Sequence, residues 1–285
     1  MRTLSIGISP CPNDTFIFGG LALGLVEIPG VRLEFTLRDV QALNLAALAG
    51  ELPVCKVSTA VLAGIWERYG LLRAGGALGR GVGPLLVARP GAALADLDGR
   101  SVAVPGRHTT GRLLFALRCA RAGVAPRLTE MIFSEVMPAV VRGEVAAGVV
   151  IHEGRFTYPE YGLERLEDLG RWWEEAYGLP VPLGGIAARR DLGPELTAAL
   201  DAGIRRSLEL ARREPERVLP FVREHAQELD AAVQARHVAT FVTEYSLDAG
   251  EEGERACAAL VAEACRLEAR PAPGLPMFLA AASAG

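Results

Sequence analysis

The stretch Ser9-Pro10-Cys11-Pro12-Asn13-Asp14-Thr15-Phe16 joins an apolar strand to an apolar helix within eight residues. Leu4 to Ile8 before it has the pattern of a short buried strand, and Phe16 to Leu25 after it has that of a helix. The two prolines predict a rigid, extended connector, and Asn13, Asp14 and Thr15 are all residue types that cap helices. Because open α/β sheets bind ligands where a strand end leads into a helix start, this stretch is a candidate binding site.

A second junction of this kind follows at Cys55-Lys56-Val57-Ser58-Thr59. Pro53 to Val57 predicts a short strand, and Ala60 to Tyr69 predicts a helix that Ser58 or Thr59 would cap. Lys56 is the only lysine among the 30 lysine and arginine residues of the chain. An ammonium fits into pockets that exclude a guanidinium fork, so Lys56 is a candidate catalytic residue, although it could also be a chance survivor of codon bias.

A third junction follows the strand predicted over Ser101 to Val104. It places Thr109 and Thr110 at the start of a helix predicted over Arg112 to Ala122, which again brings hydroxyl groups to a helix start. His108 precedes these threonines, where the positive end of the helix dipole disfavours an imidazolium. The third junction therefore predicts substrate binding by the two threonines rather than catalysis by His108.

His152 has the sequence context expected of a general base. It directly follows the apolar strand predicted over Ala146 to Ile151, and an imidazole with a pKa of about 6.5 accepts a proton near neutral pH. The alternative is a structural histidine that satisfies a loop carbonyl. His225 and His237 lie in the helical C-terminal block, where we expect them to be solvated or to cap helices.

The length and the order of elements predict a two-lobed α/β protein. A chain of 285 residues exceeds the usual size of a single core. We expect residues 1–88 and 188–285 to form lobe 1 and residues 89–187 to form lobe 2, with the ligand cleft between the lobes. The C-terminal part predicts four helices without strands, over Leu196 to Arg213, Pro215 to His225, Leu229 to Leu247 and Glu251 to Glu268.

Composition and missing motifs exclude several classes of function. The net charge of −4 comes without a basic stripe, which argues against nucleic-acid binding. No apolar run approaches the roughly 18 residues of a membrane span, and the N-terminus lacks a signal-peptide pattern, so we expect a cytoplasmic protein. The five cysteines are widely spaced without a Cys-x-x-Cys pair, which indicates reduced thiols. The oligomeric state is not determined by the sequence.

The remaining side chains favour proton transfer on a small organic acid. The glycine-rich passage over residues 75–83 is followed by a strand and lacks the Gly-Lys-Ser/Thr of a phosphate loop. The sequence has neither the nucleophile elbow of a serine hydrolase nor the histidine spacing of a metal site. Hydroxyls, backbone amides, one lysine and one histidine suit a carboxylate-bearing, hydroxylated substrate, without a metal or a redox cofactor.

Taken together, the motifs resemble the 1,4-dihydroxy-6-naphthoate synthases, which act late in the futalosine route to menaquinone. The resemblance runs from residue 4 to about residue 190 and rests on the stretches Ser9 to Phe16, Lys56-Val57-Ser58, Gly79-x-Gly81-x-Gly83-Pro84-Leu85-Leu86-Val87, Pro105-Gly106-x-x-Thr109-Thr110 and His152-Glu153-Gly154-Arg155. It implies a fold like that of the type 2 periplasmic binding proteins, with ligand bound between lobes.

This resemblance also implies an activity and a set of site residues. The substrate would be cyclic dehypoxanthinyl futalosine, cleaved at carbon–carbon and carbon–oxygen bonds by a lyase without cofactor. His152 would be the base, and Ser58, Thr109 and Thr110 would hold the polar end of the ligand. To these we add Lys56 as a catalytic residue, and Thr59, Asn13 and Asp14 as substrate-binding residues. Two alternatives stay open: a chorismate dehydratase of the same pathway, and a protein that only binds a small carboxylate.

Overall fold

The computed structural model describes residues 1–226 and 230–279. The chain divides into two compact units, and the first of them is discontinuous in sequence. Unit 1 comprises Met1–Gly79 and Pro182–Gly285, and unit 2 comprises Arg80–Val181. The lobe boundaries expected after residues 88 and 187 stay predictions.

Eleven strands occur among the described residues. They are β1 (Arg2–Ile8), β2 (Val31–Leu37), β3 (Val54–Ser58), β4 (Tyr69–Leu71), β5 (Ala77–Gly79), β6 (Leu85–Ala88), β7 (Ser101–Val104), β8 (Arg127–Glu130), β9 (Ala147–Val150), β10 (Glu164–Asp168) and β11 (Val181–Arg189).

Eleven α-helices occur in the same part of the chain, along with short 3₁₀ turns. They are α1 (Pro12–Ala22), α2 (Val40–Ala49), α3 (Thr110–Ala122), α4 (Phe133–Arg142), α5 (Gly154–Thr157), α6 (Leu169–Tyr177), α7 (Pro194–Arg213), α8 (Leu219–His225), α9 (Ala231–Phe241), α10 (Glu244–Leu247) and α11 (Gly250–Leu267). Within residues 1–226 and 230–279, no helix combines the length and the apolar character that a membrane crossing requires.

Unit 1 is built on a mixed sheet with the strand order β2-β1-β3-β11-β4, and β5 pairs with β11. Strand β1 runs parallel to both β2 and β3, so the carboxyl ends of these three strands lie at one edge. Strand β11 returns antiparallel to β3, with Gly184 opposite Ser58 and Ile186 opposite Lys56. The first two junctions identified in the sequence therefore meet at the same sheet edge.

Helix α1 begins earlier than the sequence pattern predicts. Its first residue is Pro12 and its N-cap is Cys11, so the predicted capping role of Asn13, Asp14 or Thr15 is wrong. Proline is favoured at the first helical position, because its fixed φ suits a helix and its missing N–H would be unpaired there anyway. The consequence is that the polar side chains of Asn13 and Asp14 lie in the buried first turn of the helix.

Helix α7 packs against α1 closely enough to enter its hydrogen-bond ladder. The Ser207 hydroxyl donates to the Ile17 carbonyl (2.7 Å) and accepts from the Leu21 N–H (3.2 Å), two groups that would bond to each other in a regular helix. Gly20 makes this approach possible, since a Cβ atom there would lie 2.9 Å from the Ser207 Oγ. The C-terminal helical block thus holds α1 in a defined position on the sheet.

Unit 2 contains a second mixed sheet, with the strand order β10-β6-β9-β7-β8. Strand β7 is parallel to both β8 and β9, whereas β6 runs antiparallel to β9 and β10. The carboxyl ends of β7, β8 and β9 consequently share one edge, and α3 and α4 begin there. Strand β10 was not predicted, because Glu164–Asp168 is charged and half-exposed at the sheet edge.

The C-terminal block is helical as predicted, but two of its predicted helices are divided. The one expected over Pro215 to His225 is a 3₁₀ turn over Pro215–Arg217 followed by α8. The helix expected over Leu229 to Leu247 starts outside the described residues and is otherwise two helices, α9 and α10. They separate at Thr243, whose hydroxyl donates to the Leu78 carbonyl (2.7 Å) and whose N–H donates to the Ser246 hydroxyl (3.2 Å). A tertiary contact to the glycine-rich passage therefore ends α9.

The glycine-rich passage serves close backbone packing. A Cβ atom on Gly83 would lie 2.1 Å from the Gly170 Cα atom at the start of α6, a distance that only glycine avoids. This contact lets the Leu169 N–H donate to the Pro84 carbonyl (3.0 Å).

We expect Gly83→Ala to lower the free energy of unfolding by about 1–3 kcal/mol, the usual cost of overpacking, because both colliding groups are backbone. Urea unfolding monitored by circular dichroism measures this. The matched control is Gly274→Ala, whose Cβ atom would make an ordinary 3.5 Å contact with Trp66. Equal stability of the two variants would contradict the close approach.

An ionic cluster ties the C-terminal helices to the chain that follows β4. Asp248 accepts hydrogen bonds from the Arg73 guanidinium (2.7 and 3.0 Å), from Arg205 (3.1 Å) and from the Gly250 N–H (2.8 Å). Burial alone would raise the pKa of Asp248, but the bonds from Arg73, Gly250 and Arg205 outweigh it and lower the pKa to about 2.

This lowered pKa predicts the acid sensitivity of unit 1. The stabilisation by Asp248 is complete above its unfolded pKa of 3.8 and is lost as the pH falls towards about 2. We expect the free energy of unfolding of wild type to exceed that of Asp248→Asn by ~1 kcal/mol at pH 7, a value reduced for solvent screening. This difference should vanish near pH 2. Urea unfolding of both proteins between pH 7 and pH 2 measures it, and a difference independent of pH would contradict the assignment.

Candidate functional site

The Asp14 carboxylate is the centre of a buried polar cluster in unit 1. Its Oδ2 atom accepts hydrogen bonds from the Ser9 N–H (3.2 Å) and the Ser9 hydroxyl (2.7 Å). Its Oδ1 atom accepts from Asn13 Nδ2 (2.8 Å) and from the Lys56 ammonium. Asp14 is 0% and Lys56 is 5% exposed, so the pair lies almost wholly out of solvent.

The fold brings these residues together through the parallel pairing of β1 and β3. Ser9 directly follows β1, Asp14 lies in the first turn of α1, and Lys56 lies on β3. A carboxylate in the first turn of a helix is stabilised by the positive end of the helix dipole, and a buried lysine needs a paired anion. The sequence prediction that Asn13, Asp14 and Lys56 belong to one site is consistent with this arrangement, while their contact with a substrate stays a prediction.

His237 joins the same cluster from α9, contrary to the expectation that it is solvated or caps a helix. Its side chain is 1% exposed, and its Nε2 atom lies 3.0 Å from Asn13 Oδ1. Its ring also packs against that of Phe241, with ring centroids 4.6 Å apart. Tertiary folding therefore brings a polar side chain of the C-terminal helical block to the stretch Ser9 to Phe16.

Ser58 forms a second buried polar pair with Asn44 of α2. Asn44 Nδ2 donates to the Ser58 hydroxyl (3.0 Å), and the Ser58 N–H donates to Asn44 Oδ1 (2.8 Å). Because the hydroxyl oxygen accepts from Asn44, its own proton points elsewhere and is available to an acceptor. Ser58 and Lys56 are two residues apart on β3, so their side chains leave the same face of the sheet.

Thr59 faces the interior of unit 1. It is fully buried, and its hydroxyl has no hydrogen-bond partner among residues 1–226 and 230–279. Burial raises the pKa of the Cys257 thiol of α11 to about 12. Cys55, next to Lys56, likewise has its pKa raised to about 12, by burial and then by the charge of Glu51. Both thiols are therefore protonated and unreactive at neutral pH.

In unit 2, Thr109 caps α3 as predicted. Its hydroxyl accepts from the Arg112 N–H (3.3 Å) and donates to the Gly106 carbonyl (2.8 Å). Thr110 is the first residue of the helix, and both threonines are buried. Gly111 follows, and a Cβ atom there would lie only 3.2 Å from Ile151 Cγ2, which places the start of α3 against the chain that leads to His152.

His152 has a backbone conformation that side-chain-bearing residues rarely adopt. It follows β9 with a φ of 54°, in the left-handed region. Its ring meets that of Phe133, the first residue of α4, edge to face at a centroid distance of 5.4 Å. A strained residue held by its surroundings is common at functional sites, and this geometry is compatible with a base presented at the sheet edge.

Arg155 holds the segment that carries His152. Its guanidinium donates to the Gly83 carbonyl and to Asp168 Oδ2 (3.2 Å), and Asp168 in turn caps α6 by accepting from the Gly170 N–H (3.1 Å). The close approach of Gly83 to Gly170 sits within this arrangement. Two stretches noted separately in the sequence, the glycine-rich passage and the segment from His152 to Arg155, are thus bonded to each other.

Asn44, His237 and Asp168 belong to these clusters but were not predicted as site residues. For Asn44 and His237, the sequence pattern indicates burial. Asn44 is the one polar side chain at the centre of the apolar α2 and is fully buried. His237 shares a helical face with Gln234 and Phe241, which is the spacing of a buried stripe. Asp168 directly precedes α6 and is a residue type that caps helices, but no local pattern indicates its bond to Arg155.

Among residues 1–226 and 230–279, no group of three or more histidine, cysteine, aspartate or glutamate side chains is placed to hold a metal ion. The expectation that the protein works without a cofactor stays a prediction.

The chain is similar to two curated proteins over nearly its whole length. It is 54% identical over 280 residues to a 1,4-dihydroxy-6-naphthoate synthase from Thermus thermophilus, covering 98% of this chain and 100% of that protein. It is 49% identical over 276 residues to a protein of the same name from Streptomyces coelicolor, covering 95% and 96% of the two chains.

Solved structures show the fold class that the sequence predicted. A protein from Archaeoglobus fulgidus superposes with a TM-score of 0.85 at 32% identity, over 94% of this chain and 98% of that one. The periplasmic aliphatic sulphonate binding protein of Escherichia coli superposes with a TM-score of 0.69 at 13% identity, over 98% and 94%. The fold is therefore of the periplasmic-binding-protein type. The family model described as menaquinone biosynthesis matches residues 4–266, and the chain belongs to this menaquinone biosynthesis family.

Proposed function

We propose that the protein is the lyase that converts cyclic dehypoxanthinyl futalosine to 1,4-dihydroxy-6-naphthoate in menaquinone biosynthesis. The observation that carries the proposal is the 54% identity over 280 residues to a relative bearing the synthase name. In unit 1, the buried polar cluster with donors on β3 suits binding of an anionic group, and in unit 2, the imidazole of His152 after β9 suits proton transfer.

Lys56 and Ser58 are proposed to bind a carboxylate of the substrate. Both side chains leave the same face of β3, and both have donor capacity beyond their bonds to Asp14 and Asn44. An ammonium and a hydroxyl in a poorly hydrated site form charge-assisted hydrogen bonds with a carboxylate, which are about twice as strong as neutral ones. Direct substrate contacts by Asn13, Asp14, Thr59, Thr109 and Thr110 stay predictions.

His152 is proposed to remove a proton from the substrate and so start the bond cleavage. The edge-to-face contact with Phe133 and the left-handed backbone give its ring a defined direction, and Arg155 ties the segment down. A neutral imidazole is suited to this step near pH 7.

The names of the two curated relatives favour the synthase over both alternatives that the sequence left open, a chorismate dehydratase and a carboxylate-binding protein without catalysis. The cytoplasmic location stays a prediction.

Replacing His152 by Asn tests the base. We expect kcat to fall by about 10²–10⁴, the usual contribution of a general base, with KM changed far less. The measurement is the rate of 1,4-dihydroxy-6-naphthoate release, followed by liquid chromatography. His108→Asn is the matched control at the neighbouring helix start. If His108→Asn is inactive and His152→Asn is not, the base has been assigned to the wrong histidine.

Replacing Lys56 by Met in an Asp14→Asn background tests carboxylate binding without leaving a buried charge unpaired. Losing one charge-assisted hydrogen bond of about 1.5–3 kcal/mol predicts a roughly 10- to 100-fold rise in KM. The single variant Asp14→Asn separates the contribution of the aspartate. An unchanged KM in the double variant would remove Lys56 from the binding site.

A further inference from the structure

The hydrogen-bond directions in the cluster of His237, Asn13, Asp14 and Lys56 follow from its chemistry. The Asp14 carboxylate, paired with an ammonium, only accepts hydrogen bonds, so the Asn13 atom 2.8 Å from it is the donating Nδ2. Asn13 Oδ1 must then face His237 Nε2 at 3.0 Å and accept from it. His237 therefore carries a proton on Nε2, and the bonds run in one direction from α9 to the carboxylate.

The Asp14 carboxylate is saturated by protein donors. Its two oxygens accept four hydrogen bonds, two from Ser9, one from Asn13 and one from Lys56. A carboxylate has about four acceptor positions, so none is left for a substrate hydroxyl. Asp14 is thus suited to hold another group in place rather than to bind substrate itself.

That group is the Lys56 ammonium. It has three N–H donors, and among the described residues it has one hydrogen-bonded partner, Asp14. Lys56 is 5% exposed, so its free donors lie in a nearly dry environment where a fixed direction matters. If Asn13 turned its amide, one of the four bonds that orient the carboxylate would be lost, and with it the fixed position of the ammonium.

We infer that His237 is a positioning residue: through Asn13 and Asp14 it fixes the Lys56 ammonium, which binds an anionic group of the substrate. That the anionic group belongs to the substrate rests on the proposed function. The connection from His237 to Lys56 rests on the hydrogen bonds of the cluster alone. His237 lies some 180 residues from Lys56 in sequence, so the C-terminal helices take part in substrate recognition through it.

Since Lys56 is the only lysine, labelling with ¹³C-lysine gives one side-chain signal that needs no assignment. His237→Leu removes the donor to Asn13, whereas His237→Gln offers an amide N–H in its place. In the free protein, we expect the ¹³Cε signal to shift in His237→Leu and to return towards the wild-type position in His237→Gln. A folded His237→Leu protein with the wild-type signal would overturn the inference.

The kinetic readout separates positioning from a general structural role. We expect His237→Leu to raise KM about 10-fold or more while kcat changes by less than about 3-fold, because a binding group is misplaced and the base is untouched. His237→Gln should restore KM to within about 3-fold of wild type. A loss confined to kcat, or no restoration by Gln, would contradict positioning of Lys56.

Two further variants keep the test decisive. If His237→Leu does not fold by circular dichroism, Asn13→Ser interrupts the same chain of bonds, and an unchanged lysine signal in it overturns the inference. His225→Leu, in α8 and packed on Phe221, is the control that should leave the signal unchanged. If wild type does not turn over the futalosine substrate, the proposed function fails, while the lysine signal of the free protein still decides the role of His237.

Discussion

The buried ion pair between Asp14 and Lys56 is the interaction on which the organisation of unit 1 depends. Removing two charges from water costs several kcal/mol per ion, so the pair persists only where additional hydrogen bonds complete it. Ser9 and Asn13 supply those bonds to the carboxylate, and the start of α1 adds a favourable dipole. The Pro-Cys-Pro frame, the early start of α1 and the insertion of Ser207 into its ladder all serve to hold that first turn at the edge of β1 and β3.

In unit 2, as in unit 1, candidate site residues lie at the carboxyl ends of parallel strands, but the chemistry of these residues differs. The ends of β7, β8 and β9 bring the capped start of α3, the ring of Phe133 and His152 to one edge. Its polar groups are held by neutral caps and by the Arg155–Asp168 pair, and the histidine bears backbone strain. Unit 1 thus presents fixed cationic and hydroxyl donors at its sheet edge, and unit 2 presents an imidazole at its own sheet edge.

Sequence reasoning succeeded where local chemistry decides the structure and was less accurate where neighbours do. The cap at Thr109 and the strand Ser101–Val104 follow from residue type and periodicity, and the structure confirms them. The capping role of Asn13 to Thr15 was wrong because proline at the first helical position moved the helix start forward. His237 was wrongly expected near solvent: its spacing to Phe241 indicates a buried helical face, but only tertiary folding decides that Asn13 lies against that face.

The sequence by itself determined the α/β class, the strand-to-helix junctions before α1 and α3 and the single lysine, because these depend on proline, glycine, hydroxyl and charge placed next to one another in the chain. The helix predicted over Ala60 to Tyr69 with a cap at Ser58 or Thr59 was wrong: a short 3₁₀ helix over Thr59–Gly64 without a side-chain cap stands there, and Tyr69 begins β4. Only the tertiary structure decided that Asp14 is saturated, that Asn44 supports Ser58 and that His237 reaches Asn13. These relations join residues far apart in sequence, and a hydrogen bond depends on distances of tenths of an ångström that no local pattern encodes.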